Sequence, residues 1–374
     1  MTKERFISFI VTKDCQLRCK YCYLVGKSSG HVMTHDVAFK AIDYFLQSTD
    51  YFKEPSVVFE FIGGEPLLEI ELISDIMEYT IEEMKRLNHI WCKHFKIGIT
   101  TNGLLYSSRK VQTFIEKYKE QLEIRISIDG TKTKNDLNRI FPNGQGSYDK
   151  LIPAISLWRQ QFDSLSTRMT ISHDDLPYIY DSVVHLISLG ISRIDMNPVV
   201  EAVWQPNDDK VFEEQLIKLA DYIVDNELHK CMNFSIFEEG IGHPLQPNDD
   251  TNPCNYSQVS VDADGNFFLC LRFADFSLRA KKARTIGNVY QGIDLNKMRP
   301  YLMLNNLSLN SDKDCIKCEI ASGCKWCPAE NYDSSDIGSI FHKSTAICQI
   351  HRARVKAKNY YWYRVNKASL NYVY

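Results

Sequence analysis

The sequence lacks the features that mark membrane-spanning, secreted and nucleic-acid-binding proteins. No apolar run in its 374 residues approaches the ~18 residues of a membrane span. The apolar stretch Phe6–Val11 is too short for the core of a signal peptide. The formal net charge is only −3, so no global basic field attracts nucleic acid or anionic lipid. We therefore expect a cytoplasmic protein without nucleic-acid or membrane partners.

The chain is long enough for two domains. Strand-like and helix-like segments alternate over the first part of the sequence. This alternation stops where Gly, Pro, Asn and Asp cluster between Glu238 and Asn255. We therefore expect one domain at residues 1–235 and a second at residues 236–374.

The alternation in the first domain predicts an α/β fold. Helical patterns include Asp36–Leu46, Leu68–Leu87, Ser107–Tyr118 and Pro177–Leu189. Six short segments rich in Ile, Val, Phe or Thr predict strands: Phe6–Thr12, Ser56–Ile62, Phe95–Thr100, Leu122–Ile128, Arg168–Ile171 and Arg193–Asn197. Six β–α alternations with long crossovers indicate a parallel sheet that curves into an open barrel. In such folds the chemistry lies in the loops that follow the strands.

The second domain has a different pattern. Val259–Val261 and Phe267–Leu271 predict a β-hairpin that turns through Asp-Ala-Asp-Gly. A cysteine-dense loop occupies residues 315–327. His351–Lys367 predicts a closing helix that is rich in aromatic residues, and we expect His351 itself to lie on the surface.

The chain has twelve cysteines, and a disulfide framework is not expected for a cytosolic protein of this size. In a reducing compartment, grouped cysteines are more often metal ligands. Cys92 and Cys231 stand alone, and we expect both to be buried or half-buried small side chains. The other ten form two groups, at positions 15, 19 and 22 and at positions 254, 270, 315, 318, 324, 327 and 348.

The first group has the spacing C-x3-C-x2-C, formed by Cys15, Cys19 and Cys22. Three thiolates can hold three irons of a 4Fe-4S cluster and leave the fourth iron open. The spacing alone also permits a zinc or structural cluster site that lacks its fourth ligand. The position directly after the first strand of a β/α barrel favours a catalytic cluster over that alternative.

This triplet, with Tyr21 before its last cysteine, resembles the signature of radical S-adenosylmethionine (radical SAM) enzymes. Later segments resemble further motifs of that superfamily in the same order: Gly63-Gly64-Glu65-Pro66, Thr101-Asn102-Gly103, Ser127-Ile128-Asp129-Gly130 and Asp136-x2-Arg139. Asn135 stands where many relatives have His, so we assign that position no role.

The resemblance implies a partial (β/α)6 radical SAM barrel that cleaves S-adenosylmethionine reductively. The product is a 5′-deoxyadenosyl radical that abstracts a hydrogen atom from the substrate, with Cys15, Cys19 and Cys22 as the catalytic cluster ligands. The Gly-Gly-Glu-Pro segment would receive the methionine amino group, and Arg139 would pair with its carboxylate. The implied cofactor contacts are Tyr21, Gly63, Gly64, Glu65, Pro66, Asn102, Ser127, Asp129 and Arg139.

The second cysteine group resembles the SPASM domain of peptide-modifying radical SAM enzymes. Taken alone, residues 315–327 could form a zinc knuckle. The resemblance instead implies two auxiliary 4Fe-4S clusters, which makes three clusters in all. One would be held by Cys315, Cys318, Cys324 and Cys348, and the other by Cys254, Cys270 and Cys327. The last central pair is separated by two residues rather than the usual three.

The Cys254–Cys270–Cys327 set leaves one iron of its cluster without a cysteine. Relatives that mature sulfatases have a further cysteine where this chain has Ser260, and an acidic base where Leu271 follows Cys270, with Arg272 next. Both departures count against a sulfatase maturase. An open iron is a Lewis acid that can bind and deprotonate a peptide cysteine.

Several segments, among them Tyr21–Lys27, Asp174–Tyr178 and Tyr360–Tyr363, resemble maturases of ribosomal peptides with repeated Cys-x-x-x units. The resemblance implies a thioether cross-link between a cysteine sulfur and a carbon. Its implied partners are a cysteine-containing precursor peptide and an electron donor such as flavodoxin or ferredoxin. Alternatives are carbon–carbon cross-linking, epimerisation, a sulfatase-maturase-like activity and, from another class, a zinc-stabilised binding protein.

Overall fold

The computed structural model describes residues 4–246, 257–305, 313–324 and 326–370. It shows an α/β fold with a largely parallel sheet, as the sequence predicts. The strands in these ranges are β1 (Glu4–Thr12), β2 (Ser56–Gly63), β3 (Phe95–Thr101), β4 (Leu122–Ile126), β5 (Ser166–Ile171), β6 (Arg193–Pro198), β7 (Asn233–Phe234), β8 (Gln258–Val261), β9 (Asn266–Phe268), β10 (Gly287–Asn288) and β11 (Gly292–Ile293).

The first six strands are all parallel to their neighbours and form the wall of the barrel. Strands β1 to β4 lie side by side in chain order, and β5 to β7 form a second sheet. The seam between β4 and β5 is bridged by Thr167, whose hydroxyl donates to the Ile126 carbonyl over 2.6 Å. The same hydroxyl accepts from the Ile128 N–H over 3.2 Å. A threonine side chain therefore replaces backbone pairing at this point of the barrel.

Helices cover the outer face of the sheet because each has one apolar side. In the second helix, Ile70, Ile73, Ile76 and Met77 recur at helical spacing and are buried. The α-helices are α1 (His35–Gln47), α2 (Ile70–Arg86), α3 (Arg109–Tyr118), α4 (Lys132–Asn138), α5 (Tyr148–Gln161), α6 (Ile179–Ser188), α7 (Asp208–Asp225), α8 (Leu295–Leu302), α9 (Lys313–Ile316), α10 (Pro328–Ser334) and α11 (Cys348–Leu370).

The predicted hairpin is β8 and β9, with Ser260 opposite Phe268 and Val261 opposite Phe267. Its second strand ends at Phe268, because Leu271–Phe273 form a 3-10 turn rather than strand. Strand β8 also pairs in parallel with β1 over four residues. The hairpin of the C-terminal part thus extends the sheet of the barrel across its first edge, a contact that the sequence pattern did not indicate.

The predicted closing helix is α11, which packs along α7. Arg364 on α11 forms ion pairs with Asp221 and Asp225 on α7, and Tyr361 stacks on Phe237 with ring centroids 4.5 Å apart. Among the described residues, no helix has the length and apolar content to cross a bilayer.

Candidate active site

The main cavity lies at the carboxyl ends of the barrel strands. It has a volume of about 410 Å³, within the range of small-molecule sites. The predicted site residues on its wall are Cys15, Cys19, Tyr21, Cys22, Gly63, Gly64, Glu65, Asn102, Ser127 and Arg139. Pro66 and Asp129 are not on this wall; Pro66 is buried at the start of a 3-10 helix, and Asp129 is fully buried.

The cysteine loop after β1 is held by backbone hydrogen bonds to the segment after α4. The N–H of Arg18 donates to the Ile140 carbonyl over 2.7 Å, and the N–H of Lys20 donates to the Asn138 carbonyl over 3.0 Å. Arg139 lies between these two acceptors. The loop that carries the cysteines and the arginine of the Asp-x-x-Arg motif are therefore positioned together.

Gly63 and Gly64 are required by the cysteine loop. A Cβ at Gly63 would lie 2.2 Å from the Thr12 carbonyl oxygen, and one at Gly64 would lie 2.1 Å from that of Asp14. The N–H of Gly64 donates to the Thr12 carbonyl over 2.9 Å. Because any side chain would separate the two backbones, these glycines fix the loop against the end of β2.

Glu65 is 1% exposed, and its carboxylate accepts three hydrogen bonds. The donors are the Leu67 N–H at 3.1 Å, the Thr101 hydroxyl at 2.6 Å and the Asn102 N–H at 2.7 Å. Burial raises the pKa of Glu65, while these three donors lower it. A carboxylate has about four acceptor positions, so one remains for a donor in the cavity.

A hydrogen-bonded chain connects Arg139, Tyr21 and Asp129. Arg139 Nη1 donates to the Tyr21 hydroxyl over 3.0 Å, and that hydroxyl donates to Asp129. Asp129 also accepts from the Thr170 N–H over 3.0 Å. The Nε of Arg139 is buried without a hydrogen-bond partner among the described residues. An unsatisfied buried donor on a cavity wall fits an anionic ligand.

The other half of the Asp-x-x-Arg motif lies away from the cavity wall. Asp136 accepts from the Tyr148 N–H over 2.9 Å at the start of α5 and pairs with Lys132 at 3.3 Å. Asn135 accepts from the Asp129 N–H over 3.3 Å. Both side chains therefore support the local backbone.

The three N-terminal cysteines share the cavity wall, and their environments differ. Cys15 Sγ accepts from the Leu17 N–H at 3.4 Å and from Asn102 Nδ2 at 3.7 Å. Burial raises the pKa of the Cys15 and Cys19 thiols, and the Arg139 guanidinium opposes this for Cys19. Within the described ranges, no three His, Cys, Asp or Glu side chains converge as a single metal ion requires. A 4Fe-4S cluster instead takes one thiolate at each of several irons.

Four C-terminal cysteines line a second, small cavity: Cys315, Cys318, Cys324 and Cys348. We call this group the outer site. His351 also lies on its wall, and its Nε2 donates to the Ile320 carbonyl over 2.6 Å. The expectation that His351 is a surface residue was wrong, because its place one turn after Cys348 on α11 turns it inward, where it is 7% exposed.

Cys270 and Cys327 form the described part of an inner site. Burial raises the pKa of Cys327, Arg272 lowers it, and the nearby Cys270 raises it further. Cys254 lies outside the described residues. Of the two lone cysteines, Cys92 is half-buried, as expected. Cys231 is exposed, contrary to expectation, because it follows a short 3-10 turn in which no residue is buried.

Leu271 and Arg272, which directly follow Cys270 of the inner site, lie on the wall of the main cavity. Arg272 donates to Glu201 over 2.6 Å and lies over the Tyr23 ring at 5.2 Å. Burial lowers the pKa of Arg272, but the nearby Cys327 and Glu201 raise this pKa by more, so that the net shift is upward. Sequence reasoning missed Glu201, although the loop after the last barrel strand is where functional side chains are expected.

Residues 9–176 match the sequence profile described as the Radical SAM superfamily. The chain carries a radical SAM domain. Proteins of this superfamily use S-adenosylmethionine and a 4Fe-4S cluster. The matched residues include the cysteine loop and every cavity-wall segment from β1 to the start of the 3-10 helix after β5.

Curated relatives match half of this chain in one case and most of it in two others. An uncharacterized protein of Methanocaldococcus jannaschii, MJ0907, is 30% identical over 50% of this chain and 60% of its own length. The radical SAM cyclopropyl synthase TigE of Paramaledivibacter caminithermalis is 19% identical over 97% of this chain and 76% of its own length. A cysteine-type anaerobic sulfatase-maturating enzyme of Clostridium novyi is 20% identical over 89% of this chain and 91% of its own length. The chain thus spans less than two thirds of the archaeal protein.

The fold beyond the radical SAM domain also has a solved counterpart. The structure of native anSMEcpe with bound AdoMet and Kp18Cys peptide has a TM-score of 0.70 and 17% identity. It covers 98% of this chain, and this chain covers 99% of it. The hairpin and the C-terminal helix therefore belong to the shared fold.

Proposed function

We propose that this protein is a radical SAM peptide maturase that forms thioether cross-links in a cysteine-containing precursor peptide. The observation that carries the proposal is the main cavity, which joins Cys15, Cys19 and Cys22 to Leu271 and Arg272 beside the inner site. A substrate in this cavity would lie between the three N-terminal cysteines and the two residues that directly follow Cys270. In this proposal residues 1–235 are the radical SAM domain and residues 236–374 the SPASM domain.

The residues on the wall fit S-adenosylmethionine. Arg139 offers the unsatisfied Nε for the methionine carboxylate, and Glu65 retains one acceptor position for the amino group. Asn102 and Ser127 complete this side of the cavity, and Tyr21 and Asp129 hold Arg139 in place. When bound at a 4Fe-4S cluster held by the three N-terminal cysteines, the cofactor supplies hydrogen-atom abstraction.

The C-terminal cysteines fit two auxiliary clusters. The outer site supplies four thiols, and the inner site supplies Cys270 and Cys327, which Cys254 would complete. An iron without a protein thiolate at the inner site would bind a cysteine of the peptide. Arg272 and Glu201 line that side of the cavity and can position the peptide there.

Incubation with S-adenosylmethionine, a reductant and a peptide of Cys-x-x-x repeats tests the proposal. We expect each cross-link to lower the peptide mass by two hydrogens and to release one deoxyadenosine. The linked cysteines should resist alkylation because a thioether has no thiol. The matched control is the same peptide with Ser in place of Cys, and equal modification of that peptide would contradict the thioether proposal.

Specific observations keep two other peptide reactions as candidates. Likeness to the cyclopropyl synthase TigE over 97% of the chain favours carbon–carbon bond formation or another change at carbon, such as epimerisation. Likeness to the sulfatase-maturating enzyme and to anSMEcpe over 89% and 98% of the chain favours a sulfatase-type substrate. Tandem mass spectrometry shows whether two residues are joined. Alkylation then separates the two kinds of cross-link, since a thioether consumes a cysteine thiol and a carbon–carbon link does not. Protein with two zincs and no iron would contradict all three.

A further inference from the structure

A buried lysine contacts the outer site. Lys343 is 5% exposed and lies on the wall shared by the four cysteines of that site. Its Nζ donates to Cys324 Sγ over 3.2 Å and lies 3.9 Å from the centroid of the Trp326 ring. Among the described residues, Lys343 forms no ion pair with a carboxylate within 4.0 Å.

Burial of an ammonium group without an anionic partner is strongly unfavourable. The face of Trp326 compensates only part of the lost hydration. The remaining partner of Lys343 is the sulfur of Cys324, and a neutral thiol is a weak acceptor. The arrangement therefore fits a site whose sulfur atoms carry negative charge, as they do when they are bound to iron.

The inner site also has a cation, but its charge is compensated. Arg272 lies beside Cys327 and is paired with Glu201 at 2.6 Å and with Glu330 at 3.7 Å. The two sites therefore differ: carboxylates pair with Arg272 at the inner site, whereas Lys343 at the outer site pairs with no carboxylate among the described residues.

We propose that Lys343 is a counter-cation of the outer site and raises the reduction potential of the cluster there. One-electron reduction adds a negative charge to the cluster, so a nearby ammonium stabilises the reduced state more than the oxidised state. Lys343 is a positioning residue that acts through Cys324. This inference rests on the proposed function, because it requires a cluster at the outer site.

The test is a redox titration of anaerobically purified protein, followed by electron paramagnetic resonance, together with an iron count. In Lys343→Met we expect one cluster to become harder to reduce by at least tenfold in the equilibrium constant, which is about 59 mV for one electron. The other clusters should keep their potentials. Lys343→Arg should restore most of the wild-type value. The matched control, Lys356→Met, removes an exposed lysine of α11 that pairs with Glu213 and should change nothing.

The possible outcomes separate this inference from the proposed function. Unchanged potentials in Lys343→Met with full iron would overturn the inference alone. Loss of one cluster from Lys343→Met but not from Lys343→Arg would support a required counter-charge. Loss from both variants would overturn it, since shape rather than charge would then hold the site. Wild-type protein with iron only at the N-terminal cysteines would contradict the proposed function before any variant is made, and the inference with it.

Discussion

Arg139 donates a hydrogen bond to the hydroxyl of Tyr21 over 3.0 Å. Tyr21 lies inside the cysteine loop, between Cys19 and Cys22, and Arg139 directly follows α4, more than a hundred residues later in the chain. The bond connects the loop that would hold the cluster to the guanidinium that would hold the cofactor. Displacement of one of these groups therefore displaces the other, which makes Tyr21 an informative site for substitution.

Tyr21→Phe should lower the affinity for S-adenosylmethionine without loss of iron. The change removes the hydroxyl between Arg139 and Asp129, and a hydrogen bond to a charged group contributes about 1.5–3 kcal/mol. A binding isotherm on the iron-loaded protein measures the effect. Tyr363→Phe, at a residue that is 62% exposed, is the control. Equal affinity in both variants would mean that Tyr21 does not hold Arg139 for the cofactor.

Arg139→Ala should weaken S-adenosylmethionine binding roughly ten- to a hundred-fold. It removes the only guanidinium with an unsatisfied buried donor among the described residues of the cavity wall. Iron content should stay at the wild-type value because Arg139 is not a cluster ligand. Arg86→Ala, at a solvent-exposed ion pair, is the control for loss of an arginine.

Glu65→Gln should lower both cofactor affinity and stability. Both carboxylate oxygens accept from protein donors, so the amide nitrogen of Gln would face an N–H or O–H donor in either orientation. We expect about 1–3 kcal/mol of destabilisation, measured by chemical denaturation. Unfolding at the wild-type denaturant concentration would show that the three hydrogen bonds do not hold this side chain.

Replacement of Cys15, Cys19 and Cys22 together by Ala should abolish cofactor cleavage and leave about eight irons, two clusters of four. The outer and inner sites lie on other elements and contribute their own thiols. Iron analysis and deoxyadenosine assays measure the two effects. Deoxyadenosine production that survives the triple substitution would refute the assignment of the first cluster.

Ser260→Cys should block cross-linking while cofactor cleavage continues. Ser260 is fully buried on β8, and its hydroxyl has no partner among the described residues, so a thiol fits there and could close the open iron. Ser277 is the matched control, since it is also buried with an unpartnered hydroxyl in the described structure but lies on a 3-10 turn rather than on β8. If Ser277→Cys blocked cross-linking equally, the effect would not come from the inner site.

Removal of the clusters should leave Cys19 slow to alkylate at neutral pH. Its raised thiol pKa lowers the thiolate fraction, so alkylation should accelerate as pH rises toward and through that pKa. After proteolytic digestion, the alkylation of the peptide that contains Cys19 is compared with that of the peptide that contains the exposed Cys231. Urea-unfolded protein should show no such difference between the two peptides, because the burial that raises the pKa is then lost.

The sequence by itself determined the order of strands and helices along the chain, the α/β class and the segments that carry the functional residues. Short runs of β-branched and aromatic residues set β1 to β6 within two residues of their ends, because hydrophobic periodicity is a local property. The cysteine triplet and the Gly-Gly-Glu-Pro segment could also be recognised from the sequence, since each is a pattern of residues close together in the chain.

Only the tertiary structure decided which groups meet. The Arg139–Tyr21–Asp129 chain, the Arg272–Glu201 pair and the contact of Lys343 with Cys324 join residues that are far apart in sequence, or on different elements. The pairing of β8 with β1 and the inward position of His351 arose in the same way. Burial and charge compensation depend on how elements pack against one another, and no local pattern of residue types encodes them.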